Sequence, residues 1–157
     1  MRGASKRESA PETEEGYPTT ADLGHSEQML RLVLDTAGLG MWRWEVAQPA
    51  MPLIWDERCM MLFGLPPNAA PSYMTWVEAV HPGDRSEAIS ATARALDPFD
   101  PDDSLVCKYR ILRADGSVIW VMATGRAYFE ADAAHPAGRR ALRLLGAVRD
   151  VTEMELT

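Results

Sequence analysis

LVCKYRILRADGSVIWVMATG, residues 105 to 125, predicts a long β-hairpin on which the rest of the chain is organised. Runs rich in β-branched, aromatic and aliphatic residues flank Ala114-Asp115-Gly116. Asp-Gly between two such runs is a strong hairpin signal. Because side chains alternate between the two faces of a strand, the length of the loop decides which residues share a face.

Two loop lengths fit the hairpin, and one of them gives a continuous apolar face. A two-residue loop places Arg110 opposite Val121 and buries a charge on that face. A three-residue loop is a type I turn closed by Gly116 in the left-handed region, which a side chain would disfavour. We therefore predict the three-residue loop, with the cross-strand pairs Ile111 with Ile119, Tyr109 with Val121, and Cys107 with Ala123.

The opposite face of this hairpin is mixed in character. Arg110 lies opposite Trp120 in the predicted register, and a guanidinium over an exposed indole is worth roughly 0.5–1 kcal/mol. Val118 and Met122 add apolar surface beside this pair. We expect a helix, a second copy of the domain, or both, to cover this face.

At these residues the chain resembles the PAS sensor domains of bacterial signalling proteins. The C-terminal half matches at Tyr109-Arg110, Asp115-Gly116-Ser117, Trp120, Gly125, Gly146 and Asp150-Val151-Thr152-Glu153. The N-terminal half matches, in order, at Trp42 and Trp44, Trp55, Phe63-Gly64-Leu65, Trp76 and Val80-His81-Pro82-Gly83-Asp84-Arg85. The resemblance covers about residues 28 to 155, and its specificity lies in the order and spacing of the motifs.

The order of predicted elements indicates an α+β fold. Two strands, a helical middle and three further strands predict an antiparallel sheet with helices on one face. The resemblance implies the PAS fold: five strands in the order 2-1-5-4-3, an N-terminal flanking helix, and a pocket between the sheet and the helices. We predict a flexible tail over residues 1–25, which are polar and charged, and the PAS domain over residues 26–155.

Ser26 is predicted to cap the flanking helix, which runs to Ala37 and carries an apolar stripe at helical spacing. The stripe packs either on its own domain or against a second copy, and PAS domains often use this helix for both. We assign to a predicted homodimer face the residues Leu30, Val33, Leu34, Trp120 and Leu145.

The predicted pocket is apolar, and its lining follows from strand parity and from the inner face of the helix that opens near Asp84. The expected residues are Trp42, Trp44, Ile89, Tyr109, Ile111, Val121, Ala123, Gly125, Leu144, Gly146 and Val148. Small residues favour a cavity that takes an unidentified small apolar ligand. The alternative is that these side chains only fill the core, since glycine also permits close sheet packing.

The sequence contains no predicted catalytic or metal-binding constellation. His25, His81 and His135 are far apart in sequence, and the clustered Cys and His of a zinc site are absent. Cys59 and Cys107 are expected to be small buried hydrophobes rather than a disulfide. We therefore predict neither an enzyme nor a resident cofactor.

Flavin or haem binding is the alternative to a domain without a cofactor. Flavin photosensors of this fold carry a cysteine in an Asn-Cys-Arg-Phe-type motif that has no match here, since Cys59 sits too early. Haem-binding relatives place a histidine in the helix that here spans Arg85 to Leu96, and that helix has none.

Composition and charge exclude several classes of protein. The net charge of −7 and the lack of a basic stripe argue against nucleic-acid binding. No apolar run is long enough for a transmembrane segment or a signal peptide, so we expect a cytoplasmic location without membrane contact.

The predicted function is sensory signal transduction. The resemblance implies the input domain of a histidine kinase or diguanylate cyclase, in which binding of a ligand or dimerisation is passed to a covalently linked C-terminal output domain. The alternative is a ligand-free dimerisation scaffold. Asp150 and Thr152 mark the predicted output junction, because either side chain can cap a helix that leaves the domain.

Overall fold

The computed structural model describes residues 19–156, in two units that divide after Ala37. The first unit contributes one helix, α1, Thr20–Ala37. It begins six residues before the predicted start at Ser26, because Thr19 and Asp22 cap it reciprocally. The Thr19 hydroxyl accepts from the Asp22 N–H at 3.0 Å, and the Asp22 carboxylate accepts from the Thr19 N–H at 3.2 Å.

The predicted flexible tail needs a correction at its C-terminal end. Its residues 1–18 lie outside the described residues, whereas residues 20–25 are helical. Polar composition alone did not show that Thr19 could start a helix there. No helix in the described part of the chain is long and apolar enough to cross a membrane.

The second unit has the predicted α+β architecture. Its elements are β1 (Leu39–Trp44), β2 (Leu53–Trp55), α2 (Glu57–Leu62), α3 (Tyr73–Ala79), a 3₁₀ turn (Pro82–Asp84), α4 (Arg85–Ala95), β3 (Ser104–Leu112), β4 (Val118–Ala131), β5 (Arg139–Asp150) and α5 (Thr152–Leu156). The strands form one antiparallel sheet in the order β2-β1-β5-β4-β3, which confirms the prediction. Buried residues of α2 and α4 join those of the strands in a single core.

The hairpin has the predicted three-residue loop. Ile111 pairs with Ile119, Tyr109 with Val121, and Cys107 with Ala123. The loop closes through hydrogen bonds from the Arg113 N–H to the Ser117 carbonyl and from the Gly116 N–H to the Arg113 carbonyl, each 2.9 Å long. Gly116 has φ +88°, and the Asp115 carboxylate accepts from the Ser117 N–H and hydroxyl. Parity therefore identified the core face of both strands correctly.

The 3₁₀ turn covers the exposed edge of β3, which is an outer strand of the sheet. The Arg110 carbonyl accepts from the His81 N–H at 2.9 Å, and the Arg110 N–H donates to Asp84 Oδ2 at 2.9 Å. Main-chain groups that would otherwise remain open for pairing with another chain are thereby satisfied.

The same Asp84 carboxylate also binds the Arg110 side chain. Nε donates to Oδ2 at 2.9 Å and Nη2 donates to Oδ1 at 2.8 Å, so the pair is bidentate. Asp84 followed by Glu87 is a variant of the capping-box motif and predicts a side-chain cap for α4. That prediction is wrong: Asp84 is the N-cap residue but makes no side-chain cap bond. The guanidinium also lies 5.3 Å from the centroid of the Trp120 ring, in agreement with the predicted pairing.

Gly116→Ala tests the cost of the turn conformation. A Cβ at this position would meet nothing within 4 Å, so the whole penalty comes from the positive φ. We expect the free energy of unfolding to fall by more than about 1 kcal/mol, the cost of the left-handed conformation to a non-glycine residue. Ala114→Gly, in the same loop, is the control and should cost less in urea denaturation. The opposite ranking would contradict the turn.

Asp84→Asn tests the ion pair through its dependence on pH. Hydrogen bonds from the Arg110 side chain hold the pKa of Asp84 below its ordinary value. The stabilisation is thus complete above the unfolded pKa of about 3.9 and is lost as pH falls through the lower folded pKa. At pH 7 the variant should lose about 1 kcal/mol of unfolding free energy, and at about pH 2 the difference from the wild type should be smaller.

Glu78→Gln is the matched control for this variant, because it removes the same charge from an exposed position on α3. Urea denaturation of the three proteins at both pH values separates the ion pair from the effect of net charge. A difference between Asp84→Asn and wild type that persists unchanged at low pH would contradict the role of the carboxylate.

Candidate functional site

An apolar cavity of about 50 Å³ lies between the core face of the sheet and the helices. Aromatic and aliphatic side chains dominate its wall. The lining residues are Trp42, Trp44, Leu53, Trp55, Cys59, Phe63, Tyr73, Trp76, Ala88, Thr92, Leu105, Cys107, Tyr109, Ala123, Leu144 and Val148. None of these residues carries a charge at neutral pH, so the cavity suits an uncharged occupant.

Strand parity explains how the sheet supplies its share of this wall. The register aligns Cys107 with Ala123 and then Ala123 with Val148 across three neighbouring strands. All three side chains are buried, and they point to the same side of the sheet as Tyr109 and Leu144. The floor of the cavity therefore follows from the same alternation that set the hairpin.

Not all of the predicted pocket residues line the cavity. Trp42, Trp44, Tyr109, Ala123, Leu144 and Val148 do so. Ile111 and Val121 are completely buried on the same face but lie outside its wall, towards the hairpin end of the sheet. Parity gives the face of a residue, and only packing decides which part of that face stays open.

Gly125 and Gly146 do not open the cavity, because the Trp42 indole fills the space above Gly125 and the main chain of β4 lies against Gly146. The two glycines are cross-strand partners, and Trp42 pairs with Gly146 from the next strand. A Cβ built on Gly125 would lie 2.9 Å from Cζ2 and Cη2 of Trp42, and one built on Gly146 would overlap the carbonyl oxygen of Thr124. The glycines thus permit close packing, which was the alternative interpretation of these positions.

Ile89 also lies outside the cavity wall, because the buried face of α4 is centred on other residues. The buried residues of α4 are Ala88, Ala91, Thr92 and Ala95. Their spacing of three and four residues forms one ridge of small side chains, and Ile89 lies beside this ridge and is half-buried. Alanines let the helix backbone approach the sheet more closely than a ridge containing Ile89 would.

Several lining residues were missed by the sequence analysis. Tyr73 and Trp76 are three residues apart on α3, a spacing that places both on one helical face. Leu105 and Cys107 share the parity of Tyr109, so the alternation that identified Tyr109 could have identified them too. Cys59 lies in α2 and Phe63 is its C-cap residue, and their spacing of four residues places both on one face of this helix.

Aromatic rings connect the outside of the domain to the bottom of the cavity. Trp44 stacks on Tyr73 with ring centroids 4.9 Å apart, Tyr73 contacts Trp76 at 5.6 Å, and Trp76 meets Tyr109 edge-on at 6.2 Å. The first three rings are partly exposed, whereas Tyr109 is 4% exposed. The α3 side chains thus form the mouth of the cavity, and α3 contains no buried residue.

The titratable groups of the wall are neutral. Burial raises the pKa of the Tyr109 hydroxyl far above its ordinary value, against a smaller lowering by the hydrogen bond from Trp76. Burial likewise raises the pKa of the Cys59 thiol, with a further contribution from Asp56, and burial is the main cause of the raised pKa of the Cys107 thiol. Neither cysteine is activated as a nucleophile, because the thiolate is the reactive form.

Two of the three histidines, His81 and His135, lie in loops of the second unit. His25 lies in α1, in the other unit. His81 Nδ1 accepts from the Gly83 N–H at 3.0 Å, and His135 Nδ1 accepts from the Ala137 N–H at 3.0 Å. Both loop histidines are thus engaged in local turns.

The end of β5 forms the second candidate site, the junction from which the chain leaves the sheet. The Val151 N–H donates to the Trp120 carbonyl at 2.8 Å, which continues the ladder between β4 and β5 by one bond. The Trp120 N–H then donates to the Thr152 hydroxyl oxygen at 2.9 Å. The Thr152 side chain therefore takes the place of a strand carbonyl at the point where the backbone turns into α5.

Asp150 and Glu155 fix the rest of the junction. The Asp150 carboxylate accepts from the Thr152 N–H at 2.8 Å, at the first residue of α5. Glu155 forms an ion pair with Lys108 on β3. Since Lys108 lies on the outer face with Trp120, α5 folds back over that face and covers part of it.

The second unit thus combines one antiparallel sheet, a helical cover and an apolar cavity between them. The family model described as the PAS fold matches residues 52–136, more than half of the 157-residue chain. The chain belongs to the PAS fold family. A comparison with curated protein sequences finds no match.

Solved structures with this fold come from signalling proteins. The sensory-box histidine kinase/response regulator of Burkholderia thailandensis matches with a TM-score of 0.62 and 22% identity, over 81% of this chain and 87% of that one. The N-terminal domain of a diguanylate cyclase with a PAS/PAC sensor from Marinobacter aquaeolei matches with a TM-score of 0.60 and 18% identity. The match covers 74% of this chain and 98% of that one.

A PAS domain from Colwellia psychrerythraea matches with a TM-score of 0.52 and 20% identity, over 80% of this chain and 97% of that one. At these identities the three matches show a shared fold, and the ligand and the output of this chain have to be argued from its own residues.

Proposed function

We propose that this chain is the sensory input domain of a larger signalling protein, with no catalytic activity of its own. The domain binds a small apolar ligand in the aromatic cavity. Whether the cavity is occupied is then transmitted through the β5–α5 junction to a C-terminal output domain, a histidine kinase or a diguanylate cyclase. The observation that carries the proposal is that one strand, β5, lines the cavity and ends at the junction.

The path from the cavity to the junction is short. Val148 lines the cavity, and two residues further on Asp150 begins the turn into α5. A ligand that displaces Val148 moves the strand whose end holds Thr152 against Trp120. The strand then has one arrangement with the ligand bound and another without it. The ligand can shift the equilibrium between them only by the difference in its affinity for the two.

A ligand-free dimerisation scaffold is the second candidate, and α1 favours it. Five large apolar side chains of this helix are more than half exposed: Leu23, Met29, Leu30, Leu32 and Val33. Isolated helices are marginal in water, and most helices are stabilised by burying an apolar face. The two functions are compatible, and we propose that the domain forms a homodimer in which the α1 stripe contacts a second copy.

Native mass spectrometry tests whether the cavity holds a ligand. We expect the purified protein to show a mass in excess of its sequence under native conditions and the bare sequence mass after denaturation. The absorption spectrum of the protein should show no flavin or haem band at about 400–450 nm. If native and denatured masses agree, and no small apolar compound raises the melting temperature, the sensory proposal fails and the scaffold remains.

Thr152→Val tests the junction, because it removes the acceptor for the Trp120 N–H and keeps the shape of the side chain. We expect faster amide hydrogen exchange at Trp120 and in α5, with the rest of the sheet unchanged. Thr124→Val is the control, because Thr124 is at an exposed position on β4, the strand that contains Trp120. Equal protection of Trp120 in wild type and Thr152→Val would contradict the role of the hydroxyl.

Val33→Glu tests the proposed dimer. A charge in the apolar stripe of α1 should shift a dimeric protein towards monomer in light scattering, because the buried carboxylate would have no partner. Gln28→Glu adds the same charge at another exposed position of the helix and serves as control. A wild-type protein that stays monomeric at high concentration would remove the scaffold alternative.

A further inference from the structure

The Tyr109 hydroxyl is a buried hydrogen-bond donor without an acceptor. Tyr109 is 4% exposed and lines the cavity. Its oxygen accepts a hydrogen bond from Trp76 Nε1 at 3.0 Å. The hydroxyl proton of Tyr109 finds no acceptor among the residues that the structure describes. The hydroxyl is thus used as an acceptor, and its capacity to donate remains available to a ligand.

The polar neighbours of this hydroxyl cannot supply the missing acceptor. The Cys59 and Cys107 thiols line the same cavity, and a thiol sulfur is a weak acceptor. The Thr92 hydroxyl donates to the Ala88 carbonyl at 2.9 Å within α4 and makes no hydrogen bond with Tyr109 among the described residues. The Trp76 indole N–H is a donor and cannot accept a hydrogen bond from Tyr109. It occupies one lone pair of the Tyr109 oxygen. The Tyr109 O–H therefore faces a cavity wall that is otherwise apolar.

We propose that the ligand carries an uncharged oxygen acceptor, such as a ketone, aldehyde or ether oxygen, to which the Tyr109 hydroxyl donates a hydrogen bond. The inference rests on the proposed function, since it names the chemical class of the ligand in that same cavity. A carboxylate or an amine is excluded by the wall, which offers no opposite charge and would leave either ion without a counter-ion.

The size of the cavity narrows this class further. A volume of about 50 Å³ corresponds to a few water-sized units at about 10–15 Å³ each. The occupant is thus a molecule of about three to five non-hydrogen atoms, or the end of a longer one that enters beside the aromatic side chains of α3. Burial raises the pKa of the Tyr109 hydroxyl, so the group carries its proton at neutral pH and can donate it.

The test compares two probes of the same shape, 2-butanone and 2-methyl-1-butene, which differ by an oxygen in place of a methylene. Binding of each to the whole chain is measured by NMR titration. We expect 2-butanone to bind wild type about 3- to 10-fold more tightly than it binds Tyr109→Phe, the loss of one hydrogen bond. The affinity of 2-methyl-1-butene should be equal or higher in the variant. Tyr128→Phe, at an exposed position of β4, should leave both affinities unchanged.

A measurement on wild type alone keeps the inference testable if Tyr109→Phe does not fold. The infrared C=O stretch of bound 2-butanone should lie at a lower wavenumber than in hexane, as for a hydrogen-bonded ketone. An unshifted stretch, or a ketone affinity that is the same in wild type and Tyr109→Phe, overturns the inference and leaves ligand binding intact. Failure of both probes to bind wild type overturns the inference and the ligand-binding function together.

Discussion

The cavity of this domain depends on which side chains of β3 and β4 face the core. The turn at Asp115-Gly116 fixes this, because it sets the register between the two strands. The positive φ of Gly116 closes a three-residue loop, and this loop pairs Tyr109 with Val121 and Cys107 with Ala123. A slip of one residue would move every one of these side chains to the outer face. The floor of the cavity, the Tyr109 hydroxyl within it and the Arg110–Trp120 contact outside it are thus consequences of one turn.

The cavity is the space that remains after one large ring has been accommodated. Gly125 and Gly146 lie opposite each other so that the Trp42 indole can rest on the sheet. The small ridge of α4 approaches from the other side, and the aromatic rings of α3 close the mouth. What is left open is small and almost entirely apolar, with the Tyr109 hydroxyl as a polar point. Such a space selects for size and for a single acceptor rather than for charge.

Most of the motifs that reveal the family have structural roles in this chain. Asp84 and His81 satisfy the edge of β3, Asp115 and Gly116 build the turn, and Thr152 extends the ladder between β4 and β5 by one bond. This division explains why the family is easy to recognise and the ligand is not. The motif residues stabilise the sheet, its turn and the junction with α5. The wall of the cavity consists instead of large hydrophobic side chains, and the motifs do not specify them.

The sequence by itself determined the hairpin register and the core face of β3, β4 and β5, because these depend on local turn chemistry and on a period of two, whereas the sheet order came from the resemblance to PAS domains. Tertiary structure decided the rest. It rotated α4 so that Ala88 and Thr92 rather than Ile89 face the sheet, and turned the Asp84 carboxylate from its own helix to Arg110. It also placed Trp42 over the glycines and left the Tyr109 proton facing the cavity. These outcomes arise from competition for space and hydrogen bonds between segments distant in sequence, and no local pattern records which contact wins.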